Sequence, residues 1–247
     1  MMIRPFFAAL TMLTVIPVPG FNATENDLER CKPCLPLIGL LAGALIGVAA
    51  WLLSMAFPPT VASVGTIIAM TLLSKGFHLD GLADTADGFM SSRPRERILE
   101  IMHDSHIGTM GVLAIVAVLG LKAGAALSIP PSCLPLAAGF AALSGRCAIV
   151  LYIQVSRYAR ESGLGQIMFR RKSVVACLWT SAIWYGAAWI ISGVPGLIIT
   201  SVLLAFPFLW AIYTRKKIGG ATGDTIGACE ELTEMATLLL FTCQLFF

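Results

Sequence analysis

The chain has 247 residues, 57% of them hydrophobic and only 13% charged. A soluble domain carries about 25% charged residues, so this composition excludes an ordinary soluble fold and makes the placement of the few charges informative. The net charge of +3 is small, and the basic residues are spread over separate segments with little aromatic interleaving, which gives no reason to invoke nucleic acid.

In chain order, residues 5–18 form an apolar stretch behind Arg4, broken by Pro17 and Pro19 and without a clean small-x-small cleavage site. It reads as a retained re-entrant or interfacial segment and not as a signal peptide. Residues 35–57, 134–155, 173–192 and 195–214 are long apolar runs near the roughly 20 residues a membrane helix needs. Arg146 is their only charge. The run 107–128 is interrupted only by Lys122. The run 60–77 is short, with Lys75 near its end, where a lysine snorkels to the interface. Residues 235–247 are apolar but short, leaving room for a seventh, partial span. The expected fold is an all-α, polytopic transmembrane bundle of six firm spans, forming one integral domain over 1–247. The seven cysteines are scattered; Cys31 and Cys34 form one C-x-x-C with no second pair and read as unpaired thiols.

Two kinds of connection alternate between the runs. Short uncharged ones contain Pro58-Pro59, Pro130-Pro131 and Gly193 with Pro195. Longer polar ones cover 22–33, 75–106, 154–172 and 215–234, and every Asp and Glu falls in these. Most Lys and Arg fall there too, so the positive-inside rule puts the polar connections of a multi-pass membrane protein in the cytoplasm.

The polar connections carry four constellations. In 78–88, Asp80, Asp84 and Asp87 are spaced i, i+4, i+7 and share one helical face. No basic residue stands between them. Like charges at this spacing repel, and a divalent cation relieves that; an all-oxygen ligand set suits Mg²⁺, with Mn²⁺ as an alternative. The bland reading is a solvated acidic face, which would interleave Lys or Glu in place of Gly, Ala and Leu. In 104–111, Asp104-Ser105 is followed by spaced glycines; ligand binding and helix capping are both open for this pair. In 219–228, glycines surround Thr222, Gly223 and Asp224, with Glu231 and Glu234 following; such a stretch can wrap phosphates through backbone N–H groups. The fourth is basic: Arg157 and Arg160, then Gly163 and Gly165, suited to a polyphosphate anion but also to ordinary positive-inside charge. Arg146, inside an apolar run, must face the bundle interior, a cavity or the interface.

These elements together resemble the cobalamin synthase family, the adenosylcobinamide-GDP ribazoletransferases. The stretch 78–88 is similar to its H-L-D-G-L-A-D-T-A-D-G signature. Asp104-Ser105 with Ile107-Gly108 resembles its D-S-x-I-G, and Ala159-Arg160 with Gly163-Leu164-Gly165 its A-R-x-x-G-L-G. Residues 220–234 resemble its G-x-T-G-D-x-x-G-A-x-x-E-L-x-E. Val15 stands where the family has arginine, and Lys75 where glycine is common. The resemblance implies transfer of the cobinamide-phosphate moiety of adenosylcobinamide-GDP to α-ribazole or its 5′-phosphate, with release of GMP and a requirement for magnesium. It implies Asp80, Asp84, Asp87 and Asp224 as metal ligands, and Asp84, Asp104 and Asp224 as the catalytic acids. His78, Ser105, Arg146, Arg160, Thr222, Gly223 and Glu231 are then expected to bind substrate. The bilayer is the other expected partner, and a homo-oligomer is left open. A CDP-alcohol phosphotransferase is the alternative enzyme, but Asp84 stands where its pattern needs arginine. A divalent-cation transporter is the alternative from another class, but the acids are expected to stop at the cytoplasmic edge.

Overall fold

A computed structural model describes residues 2–160, 163 and 165–243. Among these residues the secondary structure is helical, with a single isolated bridge between Tyr158 and Ala221. The helices are α1 (Ile3–Leu13), α2 (Glu25–Arg30), α3 (Leu35–Ala56), α4 (Pro59–Leu73), α5 (Phe77–Met90), α6 (Arg95–Ile101), α7 (Thr109–Ser128), α8 (Leu134–Val155), α9 (Gln166–Phe169), α10 (Val174–Ser192), α11 (Val194–Ile218) and α12 (Gly223–Leu240). Five of them, α3 (with the 3-10 turn before it), α7, α8, α10 and α11, are long and apolar enough to cross a membrane. The broken pair α4 and α5 adds up to a sixth. The expected helical membrane bundle is therefore present.

The proline turns explain the serpentine. Pro59 opens α4 and Pro135 and Pro195 lie in the first turns of α8 and α11, where the missing N–H costs nothing. These turns gather at one end of the bundle and the polar connections at the other. The helix α8 is the axis: 89% of its apolar window is buried inside the protein, against 22–33% for the other crossing helices. It packs most extensively on α3 and α12. Contact with α3 is close enough that a Cβ on Gly139 would stand 2.7 Å from the carbonyl oxygen of Gly43.

Two elements differ from the sequence expectation. The run 60–77 is not one straight helix. It bends by 87° between α4 and α5, through Lys75 at φ 58° and Gly76 at φ 68°. The helix α4 packs on α3 and α7, and α5 runs from the buried His78 to the start of α7, packed against α7 and α12. Left-handed backbone disfavours any residue with a Cβ, so Lys75 stands there against its own preference. Here Lys75 Nζ donates to the Thr11 carbonyl at 3.2 Å. Residues 235–247 are not a separate span either: through Leu240 they finish α12, and 244–247 lie outside the described residues. The helix α12 begins at the polar face and runs inward. It escaped the count of apolar runs because it carries Glu230, Glu231 and Glu234, all buried. The acids therefore do not stop at the polar edge.

Candidate active site

The first turn of α12 is built by a capping box. Thr222 accepts from Thr225 N at 3.2 Å, and Thr225 Oγ1 accepts from Thr222 N at 2.8 Å. This leaves Asp224 at the helix start, facing α5. Gly81 of α5 lies against it: a Cβ there would come within 2.7 Å of the Asp224 carbonyl oxygen. The two helices bring Asp80 and Asp84 up to Asp224.

Arg160 is brought to the same place by a backbone stitch. Ala159 N donates to Ala221 O at 2.8 Å, and Ala221 N donates to Arg157 O at 2.7 Å. From α6, Arg95 donates to the carbonyls of Ile218 and Ala159, tying that stitch to the loop before α7. Arg160 Nη2 then donates to Asp224 Oδ2 at 2.9 Å and to the Met102 carbonyl at 3.3 Å. Thr222 Oγ1 adds a bond to Asp224 Oδ2 at 3.2 Å.

The result is a cavity of about 310 Å³ lined by Asp80, Asp84, Asp224, Arg160, Asp104 and Ser105, with His103, Met102 and Ile107 at its edge. Three carboxylates from α5 and α12, and that of Asp104 from the loop before α7, face one cavity with Arg160 against them. Like charge crowds Asp84, which stands between Asp80 and Asp87 on α5 and meets Asp224 across the cavity. Burial raises Asp224, against the pull of Arg160. A divalent cation answers both effects, and the all-oxygen donor set is the kind Mg²⁺ takes.

Asp87, on the same α5 stripe, is placed differently. Its Oδ2 accepts from Gly108 N at 2.7 Å and its Oδ1 from Gly111 N at 2.8 Å. The helix α7 has no side-chain cap of its own at Gly108, so Asp87 satisfies two of its orphan N–H groups from outside. A Cβ on either glycine would strike this carboxylate. Asp104 lines the cavity but is exposed, and its Oδ1 accepts from His106 N at 3.0 Å beside the His106 ring at 2.6 Å. Those bonds hold it below the usual carboxylate range.

The structure separates three of the expected substrate residues, His78, Arg146 and Glu231, from this cavity. They belong to a second cluster, closed inside the bundle. Arg146 Nη1 pairs with Glu230 at 2.5 Å and with Glu234, and Lys122 Nζ pairs with Glu231 at 2.6 Å and Glu234 at 2.7 Å. His78 Nδ1 lies 3.2 Å from Glu230. The ligand atoms of His78, Glu230 and Glu231 lie within 4.8 Å of one another. This is metal-like spacing, but two cationic side chains already fill it. Lys122 lies about 20 Å along α7 from its polar end, so these charges sit within the bundle. The sequence carried a usable signal: Lys122 and Arg146 in apolar runs require buried acids, and Glu230 and Glu234 stand one turn apart. Of the remaining expected residues, Ser105 lines the cavity, Thr222 touches Asp224 and Gly223 opens α12. Leu164 of the basic motif lies outside the described residues.

Fold and site together define a polytopic helical membrane protein with a carboxylate-rich, arginine-flanked pocket at its polar face. The chain belongs to the cobalamin-5-phosphate synthase family, whose model matches residues 5–242. It is 41% identical to the adenosylcobinamide-GDP ribazoletransferase of Klebsiella pneumoniae (strain 342), over 96% of this chain and 99% of that one. It is 37% identical to the protein of the same name from Acetivibrio thermocellus, over 93% of both chains. The Escherichia coli O157:H7 relative of that name is also 37% identical, over 96% of this chain and 99% of its own. No solved structure matches the chain.

Proposed function

We propose that this protein transfers the cobinamide-phosphate moiety of adenosylcobinamide-GDP to α-ribazole or its 5′-phosphate, with release of GMP, at the Asp80–Asp84–Asp224–Arg160 pocket. The observation that carries the reading is the convergence of three carboxylates and one arginine from α5, α12 and the 157–160 segment on one cavity. In the reaction a ribose hydroxyl forms a bond to the phosphorus attached to cobinamide. The bond from that phosphorus to the bridging oxygen breaks, and GMP leaves with the oxygen.

Asp80, Asp84 and Asp224 are the residues suited to hold Mg²⁺ there. Mg²⁺ would neutralise charge on the pyrophosphate as the leaving group forms. Arg160 orients and neutralises the phosphate oxygens while fixing Asp224. For the hydroxyl proton, Asp84, Asp104 and Asp224 all face the cavity, and whichever of them is not engaged by the cation is the acceptor. Asp87 acts through position, by holding the start of α7 and the 104–108 loop at the cavity edge. The polar face is the cytoplasmic one, because the basic residues of the polar connections lie there. The membrane is accordingly the bacterial inner membrane.

The test uses purified protein in detergent or vesicles with Mg²⁺ and both substrates, following GMP and the cobalamin product together. Wild type should yield the two in equal amounts, and Asp84→Asn should yield neither at a comparable rate. Near wild-type turnover by folded Asp84→Asn would remove the pocket from the chemistry.

A further inference from the structure

A second concavity lies at the polar end of the bundle, made by other elements and sharing no lining residue with the Asp84 cavity. Its larger part is a groove of about 700 Å³ between α1, the start of α3 and α10, lined by Ile3, Phe6, Phe7, Leu37 and Trp179. That lining is apolar. An adjoining cavity of about 290 Å³ shares Met2 and Pro33 with the groove and adds Arg30, Arg171, Lys32 and Ser173, with Glu29 beside them. An apolar trough therefore opens directly into a basic rim.

The basic groups at the rim are not equivalent. Lys32 is buried, and its Nζ is spent on the carbonyls of Met168, at 2.7 Å, and Arg171. Nearby Arg4 and Arg170 are also occupied, by Asp27 and Glu25. Arg30 and Arg171 are exposed and, among the described residues, form no ion pair or side-chain hydrogen bond. Two free guanidinium groups thus face one small cavity, with the single carboxylate of Glu29 against them. The vertical spacing is also defined. Ser173 caps α10 at the rim, and Trp179 lies six residues further along, about 9 Å down the helix axis. That is the offset between a lipid phosphate and the upper part of its acyl chains.

We propose that this paired concavity binds one anionic phospholipid, with its headgroup between Arg30 and Arg171 and an acyl chain in the groove beside Phe6, Phe7 and Trp179. Charge complementarity selects an anionic headgroup over a zwitterionic one, because the rim offers two free cations. The apolar trough selects a lipid over a free phosphate, which would leave the groove unused. The site stands apart from the phosphotransfer pocket, so its test does not depend on the assigned reaction.

Trp179 reports on the groove. Wild type and Trp179→Phe are reconstituted in phosphatidylcholine vesicles containing increasing fractions of phosphatidylglycerol brominated in its acyl chains, and the difference in fluorescence quenching isolates Trp179. Brominated phosphatidylcholine in place of phosphatidylglycerol gives the reference. Half-maximal quenching of Trp179 should need several-fold less brominated phosphatidylglycerol than phosphatidylcholine. Replacing both arginines, Arg30→Gln with Arg171→Gln, should remove that several-fold preference, which rests on the two basic groups at the rim. Arg30→Lys with Arg171→Lys should keep most of it. Equal quenching by the two lipids would overturn the proposal. So would a preference that survives the Gln pair, or one that the Lys pair loses as well.

Discussion

Two acidic clusters lie one above the other in this protein, and they are opposites in construction. The outer one, Asp80, Asp84 and Asp224, has three carboxylates, a single arginine and an open cavity. The inner one, Glu230, Glu231 and Glu234, has three carboxylates paired with Lys122 and Arg146, with His78 beside Glu230. The outer cluster is left electrostatically incomplete, which suits a ligand. The inner one carries two cations of the protein's own, and it ties α5, α7 and α8 to α12. Because α12 also carries Asp224 and α5 carries Asp80 and Asp84, the closed cluster sets the geometry of the open one.

The contrast yields predictions that separate activity from stability. The largest effect is expected for Asp84→Asn: turnover falls by roughly a thousandfold, the scale of losing several kcal/mol of charge stabilisation at a metal site. Its thermal stability should be unchanged or higher, because a repelling carboxylate has been removed. Arg146→Met should do the reverse. Leaving Glu230 and Glu234 without their cation in the interior costs about 3–5 kcal/mol, visible as a lower midpoint in thermal unfolding before any assay is run. A smaller effect is expected at Asp87. Losing this cap of α7 in Asp87→Ala costs about 0.5–2 kcal/mol and speeds hydrogen exchange over residues 104–111. The Mg²⁺ concentration giving half-maximal rate should stay near that of wild type; a large rise would make Asp87 a ligand. The smallest is a gain. Lys75→Gly relieves left-handed backbone at φ 58° and should stabilise by about 1 kcal/mol, measurable as a raised unfolding midpoint.

Much of this was legible in the sequence because the membrane makes the rules simple. Runs of about 20 apolar residues fixed the crossings, and prolines marked the turns. The i, i+4, i+7 aspartates stood out because no basic residue stood between them, and Asp224 because it lies among glycines and other small residues. What stayed hidden depended on three-dimensional partners. Asp87 shares the stripe with Asp80 and Asp84, and spacing alone has no means of showing that its oxygens meet the N–H groups of Gly108 and Gly111. Arg146 read as a phosphate ligand because its acids lie 84 and 88 residues further on, in a helix that its own glutamates disguised as a polar loop. The bend at Lys75 was masked because a lysine near the end of an apolar run has an ordinary explanation at the interface.

The measurement closest to the central claim is Mn²⁺ binding to the purified protein by electron paramagnetic resonance, with Mn²⁺ standing in for Mg²⁺. Wild type and Glu231→Gln should each bind Mn²⁺ at a common site, and Asp84→Asn and Asp224→Asn should lose it. Binding that survives in both aspartate variants but disappears in Glu231→Gln would place the metal in the inner cluster and contradict this account.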